Sequence, residues 1–215
     1  MQELLDIFDL SNRLLGQQER GEFYREAKEE FRRTGKVTRK VKQIRVLMMN
    51  ADGNIVLQKR SSSKAQNAGL FDKTIGGHVQ HGHTIHVTLV KECAEELGIP
   101  AVMLNDDEFA QAIGCTDLKI IGLFKTVGEN PNFQSIRITP DGEFIQPVIT
   151  TFIIGYYDGS VRFVDGESSG IEIVEPTILI KDIDKHPERY TEDLRYYLKN
   201  YSSFLLPLNT IARHS

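Results

Sequence analysis

Residues 76–99 read GGHVQHGHTIHVTLVKECAEELGI, and this stretch decides how the rest of the chain is read. Glu92, Glu95 and Glu96 stand three and four residues apart, so on an α-helix their carboxylates project from one face. Three like charges gathered there call for a cation. Val87, Val90, Cys93, Ala94 and Leu97 recur at helical spacing and predict an apolar stripe on the opposite face. Thr84 is placed to cap the start of the helix, and Gly98 to end it in a left-handed turn before Pro100. A run of Glu is ordinarily a solvated helix surface. What moves these acids from surface to site is the frame of residues around them.

That frame is Gly77, five residues, position 83, seven residues, then Lys91-Glu92-Cys93-Ala94-Glu95-Glu96-Leu97-Gly98-Ile99. It resembles the signature of the Nudix hydrolases, which is Gly, five residues, an acid, seven residues, then Arg-Glu-apolar-x-Glu-Glu-x-Gly-apolar. Seven of the nine defining positions agree; His83 stands where the acid belongs and Lys91 where the Arg belongs. The resemblance covers about residues 43–201. It implies an α/β (α+β) fold, an α/β/α sandwich with a mixed central sheet, the acidic helix on one face and the C-terminal helix on the other.

It also implies an activity, the hydrolysis of a nucleoside or other group linked to a diphosphate. Glu92, Glu95 and Glu96 would hold Mg²⁺, with Mn²⁺ as an alternative, and the Gly76-Gly77 turn would complete the shell. The water-activating base is left open among Glu143, Glu172 and Glu175. Lys91 keeps the charge of the usual Arg, which orients the neighbouring Glu, but loses its two-pronged geometry. His83 removes one negative charge from the metal region and offers a ring nitrogen.

A narrower resemblance is carried by Leu57-Gln58-Lys59-Arg60-Ser61, by Lys64, and by residues 71–78, FDKTIGGH. These, with an opening hairpin, are similar to the isopentenyl-diphosphate isomerase branch and its hydrolase relatives. By that similarity Arg60 and Lys64 grip the diphosphate and His78 binds metal. The isomerase, however, needs a cysteine where this chain has Gly76, and its Glu-x-Glu stretch has only Glu143 near the corresponding place. Hydrolysis is therefore expected. The alternative is a diphosphate-binding module whose hydrolysis is disabled by His83 and Lys91. Of the other histidines beside the site, His81 and His86 read as exposed.

The remaining composition sets bounds. The chain has 215 residues, 40% hydrophobic and 26% charged, with a net charge of −4, which fits a globular protein and gives no basic footprint for nucleic acid. No apolar run is long enough to span a bilayer. Two cysteines, Cys93 and Cys115, suggest neither a disulfide framework nor a four-ligand zinc site, and a cytoplasmic location is expected. The expected partner is a small-molecule diphosphate, with a homodimer possible through the edge of the N-terminal hairpin.

Along the chain, residues 1–42 are expected as an extension packed on the core, 43–201 as the Nudix domain and 202–215 as a tail. Residues 2–20 predict a hairpin turning at Asp9-Leu10-Ser11-Asn12, and 22–33 a helix ended by Gly35. The basic run 36–42 reads as a solvated linker. Strands are expected at 44–50 and 55–60, joined through Asp52-Gly53, and at 119–127, 148–157, 161–164 and 171–180. Residues 105–108 read as an acidic, loosely helical surface. Residues 128–147 read as a long substrate-side loop holding at most a short hairpin. A last helix is expected over 187–201.

Overall fold

The computed structural model describes residues 3–140, 142–162 and 168–211. The chain opens with the expected hairpin, β1 (Leu4–Asp9) and β2 (Leu14–Glu19). Asp9 fixes the turn by accepting from the backbone N–H groups of Ser11 and Arg13 at 2.8 and 2.9 Å. Helix α1 (Arg20–Thr34) follows, buries Phe23 and Ala27, and ends at Gly35, whose φ of 71° lets its N–H reach the Phe31 carbonyl. The basic run is not a solvated linker. Within it β3 (Arg39–Lys40) pairs with β1, and Lys40 is fully buried. Its three ammonium N–H groups are shared among Leu10 O, Asn12 Oδ1, Pro131 O and Asn132 Oδ1, four oxygens that replace the water it has lost.

The main sheet is built on β4 (Lys42–Met49), buried on both sides, and its hairpin partner β5 (Ile55–Arg60). Short strands β6 (Phe71–Asp72) and β7 (Ile75–His78) pair with β5 and β4. Helix α2 (Ile85–Glu92), β8 (Ala101–Met103) and α3 (Asp106–Ala112) come next, then β9 (Gly122–Thr139) and β10 (Gly142–Tyr156). β11 (Ser168–Val174), α4 (Pro176–Lys185), α5 (Glu192–Tyr201) and α6 (Leu208–Ile211) complete the chain. The strand order is β11-β5-β4-β10-β9-β8; β4 and β10 run parallel, as do β8 and β9, and the other neighbours are antiparallel.

Alternation along β4 divides the core in two. Ile44, Val46 and Met48 join Leu89, Cys93 and Leu97 under the acidic helix. Leu47 and Met49 join Phe23 of α1 and Leu194, Tyr197 and Leu198 of α5 on the other side. The sandwich is therefore as expected, with the acidic and C-terminal helices on opposite faces. Each fully buried Leu or Phe contributes about 1.5–3 kcal/mol of apolar burial, and this divides the stabilisation between both layers.

Four further elements differ from expectation. Residues 128–147 are not a loop: β9 and β10 form one long antiparallel hairpin, in which Phe133 and Ser135 point inward opposite Val148 and Gln146. The strand expected at 171–180 stops at Val174, because the Glu175 side chain accepts from the Thr177 and Ile178 N–H groups and Pro176 starts α4. Val161 and Arg162 are in no strand, while residues 163–164 lie outside the described residues. The last helix begins only at Glu192, capped by Thr191, after a single 3-10 turn over Pro187–Arg189. Beyond α5, Leu205 is buried, the Leu208 N–H donates to Ala51 O, and Tyr156 Oη donates to Leu206 O.

Candidate active site

Thr84 caps α2 as expected, accepting from the Val87 N–H, and Gly98 closes the element at φ 67°. The apolar stripe is only partly where the spacing put it: Cys93 and Leu97 are buried, and Ala94 is exposed. Val87 and Val90 are exposed, and the buried line is Leu89, Cys93 and Leu97. From Cys93 to Leu97 the helix widens into a π turn, with Gly98 N–H reaching back to Cys93 O. Glu92 lies on the buried side, only 9% exposed, and hydrogen-bonds with Glu96 one turn on. Glu95 instead turns to solvent and pairs with Lys91 at 3.1 Å. Among the described residues no three His, Cys, Asp or Glu side chains are gathered closely enough to hold a metal ion.

Glu92 is seated by Gly77. A Cβ on Gly77 would stand 2.3 Å from the Glu92 carboxyl carbon, so only glycine leaves room for the acid against β7. Burial pushes the Glu92 carboxyl above the ordinary carboxylate range, and the Glu95 and Glu3 charges push the same way, against Lys91 and the Glu96 hydrogen bond. Two adjacent carboxyls, one reluctant to ionise beside like charges, form a hard-oxygen donor pair that a divalent cation fits.

Gly77 is also a wall of a cleft of about 330 Å³. Six cationic side chains line it, Arg20, Arg45, Arg60, Lys64, Lys73 and Arg137, against two carboxylates, Asp72 and Asp193, in a chain whose net charge is −4. Arg60 and Lys64, the residues expected to grip the diphosphate, both line this cleft. Arg60 donates through Nε and Nη2 to Gln66 O and lies 3.4 Å from Asp72. Asp72 is buried, which would raise its pKa, but the Lys73 and Arg60 charges and the Thr191 hydroxyl hold the carboxyl below its usual range. Arg45, fully buried, pairs with Asp193 at 2.8 Å and donates to Thr150 Oγ1, which ties β4 to α5 beneath the cleft.

His78 closes one end. Tyr24 Oη and Gln43 Nε2 lie 2.6 and 2.9 Å from its Nε2. The Tyr24 hydroxyl already accepts from Gln43 and Arg137, so its own proton goes to His78, whose Nε2 is the acceptor of a neutral ring. Burial, with repulsion from Arg20, Arg137 and Arg45, holds this imidazole well below the usual histidine pKa. His81 and His86 are exposed; His81 spans Asp6 and Gln17 and fastens the hairpin to the loop before α2. The Nδ1 of His83 is buried without a partner among the described residues.

The three base candidates lie elsewhere. Glu143 and Glu172 are exposed at the start of β10 and on edge strand β11, and Glu175 caps α4; none lines the cleft. Arg20, Tyr24, Lys73 and Arg137 are cleft residues that the sequence reading did not assign. Arg137 was legible only through the two-residue alternation Phe133, Ser135, Arg137, a strand signal in a stretch whose prolines suggested a loop.

An α/β/α sandwich with a carboxylate helix beside a cationic cleft defines a class of phosphate-handling folds, and comparison with known proteins makes it specific. The family model described as NUDIX domain matches residues 39–194, and the chain belongs to the Nudix family. It is 31% identical over 103 residues to the protein described as uncharacterized Nudix hydrolase all7351 of Nostoc sp., covering 48% of this chain and 55% of that one. It is 26% identical over 165 residues to an isopentenyl-diphosphate Delta-isomerase of Cereibacter sphaeroides, covering 74% and 77%. The crystal structure of DR0079 from Deinococcus radiodurans shares the fold with a TM-score of 0.61 and 20% identity, over 92% of this chain and 98% of that one.

Proposed function

We propose that the chain is a divalent-metal-dependent hydrolase of an organic diphosphate, with water attacking phosphorus. The observation that carries this reading is the meeting of the cationic cleft with the Glu92 carboxyl across Gly77. Glu92 and Glu96 would hold the cation, with Glu95 within the same turn. A divalent ion bound there supplies charge neutralisation at the phosphates and a lowered pKa for bound water. This chain's own residues bind and orient: Arg60 and Lys64 take the diphosphate oxygens, and Lys73 adds charge at the glycine turn. Asp72 holds Arg60 and Lys73 in place from below.

Isomerisation is not supported. Gly76 offers no thiol, and the Lys73 side chain occupies the space beside it, with Cε 2.6 Å from where a Cβ would stand. The rival reading is a binding module, favoured by the engagement of Lys91 with Glu95 rather than with Glu92. The test is phosphate or phosphomonoester release from a panel of diphosphates with Mg²⁺ or Mn²⁺. Release should require the metal and fall on the order of a hundredfold or more in Glu92→Gln and Glu96→Gln. Undiminished turnover in those variants refutes the hydrolase, and metal-dependent binding without any turnover favours the module.

A further inference from the structure

Arg137 is a half-buried cation whose position the hydrolase reading does not use. It projects from β9 into the cleft, donates to Gln66 Oε1 at 3.1 Å and to Tyr24 Oη at 3.2 Å, and lies over the Tyr24 ring at 5.1 Å. Among the described residues no carboxylate pairs with it. Arg60 is bonded to the backbone carbonyl of the same Gln66, so one residue holds two guanidinium groups, with only Arg60 near an acid. Like charges held together in a recess are destabilising unless an anion joins them.

The rest of the wall says what kind of molecule brings that anion. Tyr24 is the only Phe or Tyr lining the cleft among the described residues; Arg137 covers one face of its ring, and Phe23 and His78 stand in T-shaped contact with it at 5.3 and 5.5 Å. A more apolar hollow lies beyond the 61–70 loop, lined by Leu70, Ile136, Ile138 and Tyr190. The loop walls it off, because Asn67 N–H donates to Ile138 O and Ile138 N–H donates to Asn67 Oδ1.

We propose that Arg137, held beside Arg60 through Gln66, forms a second anion subsite that takes a phosphate carried on the alcohol half of the substrate. The substrate is thus a diphosphate whose alcohol half carries a further phosphate, a class that deepens the hydrolase reading and rests on it. The experiment is calorimetric titration in EDTA with phosphoribosyl diphosphate, inorganic pyrophosphate, isopentenyl diphosphate and ADP-ribose. The wild-type chain should bind phosphoribosyl diphosphate tightest. Arg137→Gln should weaken that probe about tenfold or more and leave pyrophosphate within about threefold, since a charge-assisted pair is lost with one probe only. Arg137→Lys, which keeps the charge, should recover part of the loss and serves as the reading if the Gln variant melts at lower temperature. Equal weakening of both probes by Arg137→Gln and Arg137→Lys, no binding of phosphoribosyl diphosphate, or tighter binding of ADP-ribose or isopentenyl diphosphate overturns the subsite. Because binding is read without metal, a chain that binds as expected but releases no phosphate with Mg²⁺ refutes the hydrolase and leaves the subsite standing.

Discussion

Gly77 and Asp72 show how single residues hold this site together from opposite sides. A methyl group at Gly77 would meet the Glu92 carboxyl at 2.3 Å, but what it meets is the far end of a side chain that can swing away. Gly77→Ala should therefore cost little stability, within about 1 kcal/mol, while displacing Glu92 and raising the metal concentration needed for half-maximal turnover at least tenfold. A melting curve and a metal titration on the same sample separate the two effects; unchanged metal dependence would show that Glu92 is not a ligand. Asp72 works through charge. Its folded-state pKa lies below its unfolded value, so its contribution is complete above about pH 4 and is lost as the pH falls through the folded value. Asp72→Asn should remove about 3 kcal/mol at pH 7, by stranding Arg60 and Lys73 without their shared carboxylate, and should flatten the acid limb of the stability profile. Urea denaturation between pH 3 and pH 7 reads both, and a variant whose acid limb stays as steep as the wild type's refutes the assignment.

At the scale of elements, what was legible followed from local rules and what was not followed from tertiary ones. The N-terminal hairpin, α1 with its Gly35 end, the β4–β5 pair and the capped start of α2 all carry their signals in a few adjacent residues. The π turn at Cys93–Leu97 does not: the spacing of Glu92, Glu95 and Glu96 is compatible with one helical face, and those residues do not mark where the helix widens, nor that Glu92 is buried while Glu95 pairs with Lys91. Prolines at 131, 140 and 147 hid a hairpin that holds because Phe133, Phe144 and Val148 bury their side chains. The buried Lys40 was hidden in the same way, since a basic run in sequence does not say which lysine meets four oxygens. Lys40 links the hairpin turn to β9, and α1, which follows the hairpin, carries Arg20 and Tyr24 into the cleft. Lys40→Ala should cost about 3 kcal/mol and raise amide exchange in β1 and β2 before the main sheet opens. Exchange that rises uniformly across both sheets would show that the hairpin is not anchored separately by Lys40.

Across the whole molecule the charge is unevenly divided, and that division has a kinetic consequence. A chain with a net charge of −4 repels an anionic substrate on average, yet the cleft collects six cations against two carboxylates. Such a recess with low-dielectric walls concentrates its field at the mouth and draws a diphosphate inward over about a Debye length, roughly 10 Å at 0.1 M salt. Raising the salt to about 0.5 M shortens that reach to roughly half and screens the pairs made by half-exposed side chains such as Arg137 and Lys64. Arg45, buried beneath and paired with Asp193, is screened much less, so the frame of the site persists. KM for a diphosphate should therefore rise about tenfold between 0.05 and 0.5 M salt while kcat changes less than about twofold, because salt acts on capture and not on the seated complex. A neutral salt series with Mg²⁺ held saturating makes the measurement. If kcat falls in step with capture, salt is loosening the Glu92–Glu96 end of the site rather than screening the cleft, and the division between a binding pole and a reacting pole is refuted.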